Sequence, residues 1–367
     1  SLDPPTFDPH VTLSYATIGA ISPVYNRLLA YKTGPDADPH SFDLIPDLAE
    51  KWETPDDTTY VFHLRQGVKW HNKPPVNGRE LTAEDVKYAL ERMGTDKPEY
   101  HAKYMVQQVE KFETPDKNTV KVTMKEPFAP FLNFMGSHYP WIVPKEVVDK
   151  EGDVKKTAIG TGAFMLESYE RNVRVVYKKN PDYFVKGKPY VDEIIYNILP
   201  DLTNRVATFR TRQVDVVGVD LGVDAPSTDE IVKSNPDALK EEIYSRSMIQ
   251  MGLQVNKKPF SDVRVRRAMS MAIDRKAIID TVLFGKGKPT GNVPSSVAGW
   301  GLDSDQLGQY YQTDIQKAKS LLAEAGYPNG FKMELLQTPA YGTGVVNAGV
   351  MVKDQLKQVG IDVEIKS

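Results

Sequence analysis

The stretch PFSDVRVRRAMSMAIDR, from Pro259 to Arg275, gathers Arg264, Arg266, Arg267 and Arg275. Guanidinium groups along one helix are what a phosphate backbone attracts, so the first chemistry to weigh is nucleic-acid binding. The apolar residues argue against it. Val265, Ala268, Met269, Ala272 and Ile273 recur at the three and four spacing of a buried stripe, and Asp262 stands where an N-cap belongs. Asp262, Arg266, Ser270 and Asp274 fall in one i, i+4 row, which sets acids beside bases on the solvent side. A formal net charge of -3 leaves no basic domain behind this helix. Its arginines are therefore expected to serve folding, and nucleic acid is not expected as a partner.

Other residues offer other chemistries. GKGKPTG, residues 285–291, lacks the G-x-x-x-x-G-K-[ST] spacing of a phosphate loop and puts Pro289 where a helix should begin. GTGAF, residues 160–164, precedes a strand and reads as a hinge or tight turn in which Gly160 and Gly162 take positive φ. His10, His40, His63, His71, His101 and His138 form no H-x-x-x-H or H-E-x-x-H pair, and the chain has no cysteine. No preformed metal site, thiolate or disulfide is visible, and no cofactor is expected. No G-x-S-x-G elbow occurs and the acids fall mostly at caps and on helix faces, so no catalytic dyad is nominated and an enzyme is not expected. Aromatic rings near turns remain: Tyr15, then Tyr139 and Trp141 in GSHYPWIVP, then Trp300 in AGWGLD. Such rings can line an apolar cleft, or they can simply pack lobes and cores.

The elements that must position these residues can be read from periodicity. TTYVFHL alternates Tyr60, Phe62 and Leu64 against Val61 and His63, a half-buried antiparallel strand. LTAEDVKYALERM offers Thr82 as N-cap, Asp85 three residues on, and Val86, Ala89, Leu90 and Met93 at helical spacing. Val120–Met124 reads as another strand, followed by an aromatic-rich segment from Phe128 to Phe134, so residues 26–159 look like a mixed α+β block. Beyond it, RVVYKKNPDYF and YVDEIIYNIL read as strands, LTNRVATFRTR as a helix and VDVVGV as an apolar strand reached through it. A second βαβ unit runs from FKMELLQT through a helix of Val345, Ala348, Val352, Leu356 and Val359, closed by Gly360, to IDVEIK. Before it, TDIQKAKSLLAEAG has Thr313 as N-cap, Gln316 at N3 and Gly326 as the stop.

A length of 367 residues exceeds what one core usually serves. No apolar run reaches the length of a membrane span, and SLDPPTFDPH lacks the regions of a signal peptide, so the chain as given reads as soluble.

Taken in order, FDPH, YNRLLAY, PDLAEKWE, YVFHLRQGVKWHN, LTAEDVKYALERM, IGTGAF, KNPDYF, VNKKPFSDVRVRRAMSMAIDR and KAKSLLAEAGYPNGF resemble the family five solute-binding proteins of bacterial ABC importers, the dipeptide, oligopeptide and nickel receptor group. The resemblance covers nearly the whole chain. Ala163 departs from the proline usual after GTG, and Asn77-Gly78-Arg79-Glu80 lengthens the turn before LTAEDV. What it implies is an α/β, two-lobed, periplasmic-binding-protein-like fold of the large peptide-binding class (type II) with an extra α+β subdomain. Lobe one would comprise 1–25 and 160–253, the inserted subdomain 26–159, and lobe two 254–367. Family chains continue further and cross back to lobe one, so lobe two is expected to be incomplete at Ser367. The family's ligand-side loop maps onto Leu13, Ser14 and Tyr15, and its crossover strand before NKKPF onto Gln250, Gly252 and Gln254; Tyr139, Trp141 and Trp300 complete the candidate ligand contacts. The aspartate that meets the ligand's amino terminus in peptide receptors has no counterpart to assign here. The implied function is that of an extracytoplasmic or periplasmic receptor, with lipid anchoring left open. It would act as a monomer, closing two lobes on a di- or oligopeptide and delivering it to ABC permease subunits. An oligosaccharide, opine or nickel chelate ligand, or a chaperone or signalling role on the same fold, are the alternatives.

Overall fold

A computed structural model describes residues 2–38, 40–218, 222–245, 248–297, 299–339 and 342–366. Their contacts divide into two units. The described residues of 1–37 and 42–208, with Gly218, form the first; those of 38–41, 209–217 and 221–367 form the second. No helix among the described residues is long and apolar enough to cross a membrane.

The first unit contains α1 (Tyr15–Ile21), β1 (Leu29–Tyr31), β2 (Leu44–Pro46), β3 (Ala49–Asp56), β4 (Thr59–Leu64), α2 (Ala83–Met93), β5 (Val109–Asp116), β6 (Thr119–Met124), α3 (Phe131–Gly136), α4 (Lys145–Glu151), β7 (Phe164–Glu170), β8 (Arg174–Lys179) and β9 (Glu193–Asn197). The order β3-β4-β6-β5 makes an antiparallel sheet, β7-β8-β9 a second, and β1 pairs antiparallel with β2. Period-two alternation decides which face is covered: Tyr60, Phe62 and Leu64 on β4 and Val120, Val122 and Met124 on β6 are buried, their neighbours half-exposed. These side chains share one core with Leu90 of α2, Phe131 of α3 and, from outside residues 26–159, Phe7, Phe164, Tyr177 and Ile198.

The start of α2 follows the expected capping box, since the Asp85 carboxylate accepts from the backbone N–H of Thr82. The lengthened turn before it does more than span a gap. Asn77 and Gly78 both take positive φ, the type I′ conformation that asparagine and glycine tolerate. That turn delivers Arg79, whose guanidinium donates to both Asp85 oxygens at 2.8 and 2.6 Å and to Glu146 of α4 at 2.9 Å. One side chain thus ties the first turn of α2 to α4.

The GTGAF loop departs from expectation in its reason. Neither Gly160 nor Gly162 has positive φ. They are glycines because backbone passes against backbone: a Cβ on Gly160 would lie 2.0 Å from the Val24 carbonyl oxygen, and one on Gly162 2.4 Å from that of Pro23. The contact is stitched by Gly162 N–H donating to Val24 O at 2.8 Å and Phe164 N–H to Pro23 O at 3.0 Å. His71, wholly buried, completes the seam. Its Nδ1 accepts from Gly160 N–H at 3.3 Å and its Nε2 donates to Gly162 O at 3.0 Å, which fixes one neutral tautomer.

α5 (Leu202–Arg210) carries the chain from the first unit into the second, where α6 (Ala225–Ser234), α7 (Val263–Ala272), α8 (Arg275–Val282), α9 (Ile315–Glu324), β10 (Lys332–Leu336), α10 (Thr343–Lys357) and β11 (Asp362–Lys366) follow. β10 and β11 pair in parallel around α10, the expected βαβ unit. The expected strand in VDVVGV is not found: residues 214–218 hold no strand, because no neighbouring strand among the described residues supplies a ladder, and Val216 stays 67% exposed. α9 is capped one residue later than expected. Asp314 accepts from Lys317 N–H at 2.8 Å, and Thr313 instead donates its hydroxyl to Ile273 O.

The arginine helix buries Val265, Ala268, Met269 and Ala272 as its spacing requires. The i, i+4 row does not form. Asp262, turned inward to cap Arg264 N–H, meets the guanidinium of Arg264 at 2.6 Å, and the helix breaks at Ile273 so that Asp274 caps α8. Arg266 donates to the carbonyls of Phe260 and Ser261, Arg264 to that of Glu324, and Arg275 to that of Ser270. Arg267 and Arg275 lie over the rings of Tyr310 and Tyr311 at 4.3 and 5.0 Å.

The close approach at Gly160 generates a test. Gly160→Ala should lower the stability of the first unit by ~1–3 kcal/mol through forced overpacking. Gly308→Ala, where a Cβ meets nothing within 4 Å, should change stability by less than ~0.5 kcal/mol. Urea unfolding followed by tryptophan fluorescence measures both, and equal small effects would show that the loop yields.

Candidate functional site

The N-terminal motif Asp8-Pro9-His10 is buried, which is unusual for three residues of which one is an acid and one a base. Its partner is Arg92, near the end of α2. Arg92 Nη1 donates to Asp8 Oδ1 at 3.0 Å and Nη2 to Oδ2 at 2.5 Å, a bidentate fork. Burial works to raise the Asp8 pKa, but the hydrogen bonds and charge of Arg92 overcome it and hold the carboxyl below its ordinary value. Arg92 Nη1 also donates to His10 Nδ1 at 2.8 Å, so Nε2 carries the proton and donates to the carbonyl of Trp141 at 3.0 Å. Burial first, and then the charge of Arg92, push the His10 pKa down to about 4. The guanidinium further covers the Tyr100 ring at 5.3 Å.

This buried knot anchors the loop that follows it. Ser14 N–H donates to Thr12 Oγ1, and the Ser14 carbonyl receives Ile18 N–H as α1 begins. Ser14 is half-buried, while Leu13 and Tyr15 are exposed, Tyr15 at 54%. The same knot holds the HYPW segment, because His10 grips the Trp141 carbonyl and Trp141 N–H closes a turn onto Tyr139 O at 2.8 Å. Trp141 itself is 4% exposed: its indole N–H donates to His138 O at 2.6 Å and its ring lies under Arg27 at 4.6 Å. Trp141 therefore faces the core. Tyr139 is half-buried, and its pKa is raised by burial and then by the nearby phenols of Tyr15 and Tyr104. The His10–Trp141 hydrogen bond thus ties the loop that carries Tyr15 to the turn that carries Tyr139.

Three further aromatics, not singled out as site residues, form a run of ring contacts. Tyr104 meets Phe134 edge-on at 5.6 Å, and Phe134 meets Phe128 at 5.7 Å. The aromatic density of residues 128–134 was the available signal. The fork between Asp8 and Arg92 spans 84 positions and left none.

In the second unit, residues 248–254 run without strand ladders, so the expected crossover strand is absent as a paired element. Its pleat survives in burial: Met251 and Leu253 pack on the unit's core, while Gln250, Gly252 and Gln254 are exposed. Trp300 is 77% exposed, in a turn where its N–H donates to Val297 O at 3.1 Å. No cluster of histidine, aspartate and glutamate able to hold a metal ion occurs among the described residues.

Residues 43–367 match the family described as bacterial extracellular solute-binding proteins, family 5 Middle. The chain is 33% identical to a dipeptide-binding protein of Escherichia coli (strain K12) over 99% of its own length and 69% of that protein. Among solved structures, a periplasmic binding protein of Helicobacter pylori in complex with the peptide STSA is similar at a TM-score of 0.84 and 26% identity, covering 100% of this chain and 72% of that one. A binding protein of A. tumefaciens R10 in complex with agropinic acid is similar at 0.83 and 30%, covering 100% and 71%.

The buried imidazoles generate a pH prediction. His10 and His71 are both lowered from 6.5 to about 4, chiefly by burial. Between those values the unfolded chain binds protons that the folded chain does not, so stability rises with pH. It should be complete above pH 6.5 and fall from there to pH 4, by up to ~1.4 kcal/mol per pH unit for each imidazole. Urea midpoints of the first unit at several pH values test this; a flat profile between pH 6.5 and 4.5 would contradict it.

Proposed function

Since the chain belongs to the bacterial extracellular solute-binding proteins of family 5, we propose that it is the receptor of an ABC importer and captures a di- or oligopeptide. In this reading residues 1–25 and 160–253 form lobe one, 26–159 an added subdomain that shares its core, and 254–367 the second lobe, whereas by contacts the described residues of 209–217 and 221–253 group with the second unit. The receptor works outside the cytoplasm, as a monomer, and does no chemistry on its ligand. Closure is driven only by differential affinity of ligand for the closed state.

The observation that carries the reading is that Tyr15, exposed, and Tyr139, half-buried, sit on segments tied to one buried ionic anchor that cannot shift cheaply. Rigid rings suit a peptide ligand because they give apolar contact at low entropic cost, while main-chain polar groups answer the peptide backbone. Leu13, exposed, and Ser14, half-buried, precede Tyr15 in the same loop and are proposed to contact the ligand with it. Gln250, Gly252, Gln254 and Trp300, exposed in the second unit, are proposed as further ligand contacts, and Trp141 acts from beneath Tyr139 through its carbonyl. The agropinic acid relative supports an opine as the second reading. Mass spectrometry of ligand released from the purified protein decides between them: peptide masses support the first reading, opine masses the second, and a sugar or metal chelate would reject both.

Two further outcomes follow. Tyr15→Ala and Trp300→Ala should each weaken ligand binding by ~1–2 kcal/mol with little change in unfolding midpoint. Arg266→Ala should leave binding intact and cost the second unit ~1 kcal/mol, since its guanidinium closes the carbonyls that enter α7. Calorimetric titration beside thermal unfolding separates the effects, and equal losses of affinity in all three variants would reject the assignment. Dialysis against a chelator should leave the affinity unchanged, and a loss restored by nickel would install the metal-chelate reading.

A further inference from the structure

The imidazole of His10 is used twice and exposed nowhere. Its Nδ1 end belongs to the ion pair, receiving Arg92 Nη1 at 2.8 Å; its Nε2 end belongs to a different stretch of chain, donating to Trp141 O across 131 positions. On the near side of that bridge lies the loop to Leu13, Ser14 and Tyr15, and on the far side the turn that presents Tyr139. We propose that His10 is a positioning residue, which sets the spacing of the Tyr15 and Tyr139 rings by clamping the Trp141 carbonyl to the Asp8–Arg92 anchor. The proposal rests on the reading of those two rings as ligand wall.

The physical basis is directional. The anchor end is over-determined, because Asp8 is held by two guanidinium bonds and also receives His10 N–H at 3.1 Å. At the Trp141 end the imidazole makes a single hydrogen bond, to a carbonyl of a segment also held by Ile142 N–H donating to Asn26 O at 3.0 Å, by the indole N–H donating to His138 O and by the ring's burial under Arg27. Removing the Nε2–H leaves the anchor standing and removes the tie between that anchor and the HYPW turn. Removing the Nδ1 acceptor leaves the turn held and only reduces the satisfaction of Arg92. A purely structural histidine would show no such asymmetry.

Amide side chains separate the two ends. Gln in place of His10 sets its nitrogen near the Nε2 position and keeps a donor for Trp141 O; Asn sets its oxygen near Nδ1, keeps the acceptor for Arg92 and falls short of Trp141. The experiment compares His10→Gln, His10→Asn and wild type, each carrying 3-fluorotyrosine singly at position 15, 139 or 60, by fluorine NMR and by calorimetric titration with dialanine. The expected result is that His10→Asn shifts or splits the signals of positions 15 and 139, leaves that of core residue Tyr60 in place, and weakens dialanine about tenfold, ~1.4 kcal/mol. His10→Gln should match wild type in all three signals and in affinity. Equal behaviour of the two variants, unmoved signals at 15 and 139 in His10→Asn, or an equal movement at position 60 would overturn the proposal. Should His10→Asn not fold, His10→Met replaces it: side-chain length is kept, the donor for Trp141 O is lost, and the same outcomes decide. Failure of wild type to bind dialanine counts against the peptide reading alone, while the fluorine signals still decide whether His10 sets the spacing.

Discussion

Arg92 holds its proton at any pH the protein meets, so withdrawing it from water obliges the fold to surround it with acceptors. Asp8 supplies two, His10 a third and the Tyr100 face a fourth contact. That single requirement fixes the N-terminal segment against α2, and through His10 it fixes the HYPW turn as well. The exposed rings are the visible end of this arrangement; their support is an ion pair that would cost about 3–5 kcal/mol to break from one side.

Arginines are placed in two ways. In the first, Arg79 and Arg92 face carboxylates, and each joins elements far apart in sequence. In the second, the arginines of α7 and α8 mostly answer carbonyl oxygens and lie over tyrosine rings, closing helix ends and loops within reach. Carbonyl acceptors carry no charge of their own, so these arginines remain half-exposed and solvated rather than buried.

Much of this was legible in the sequence, because it is local. The alternation at Tyr60, Phe62 and Leu64, the capping box at Thr82 and Asp85, the buried stripe of α7 and the βαβ unit around α10 all follow from spacing within a few turns. The aromatic positions Tyr15 and Tyr139 were nameable from ring type and turn context, though nothing local announced that one hydrogen bond ties their segments together. What stayed hidden depends on long-range geometry. The glycines of GTGAF are required by Val24 and Pro23, some 140 positions earlier in the chain, and not by their own φ angles. The misplaced cap at Thr313 and the unformed ion-pair row from Asp262 share a cause: Asp competes for the cap wherever it can reach a free N–H, and a side chain so engaged is turned away from the neighbour that spacing alone assigns to it.

The first ten residues also bear on the order in which this protein can assemble. Phe7 N–H waits for the carbonyl of Lys155, Asp3 for Tyr169 and Asn172, Asp8 for Arg92 and His10 for Trp141. This segment therefore completes its contacts only when residues as far along the chain as Asn172 are in place, and closing loops of that length delays the step. Until then Asp3 and Asp8 lack the donors that satisfy them in the folded unit, and the segment stays open while the rest of that unit forms.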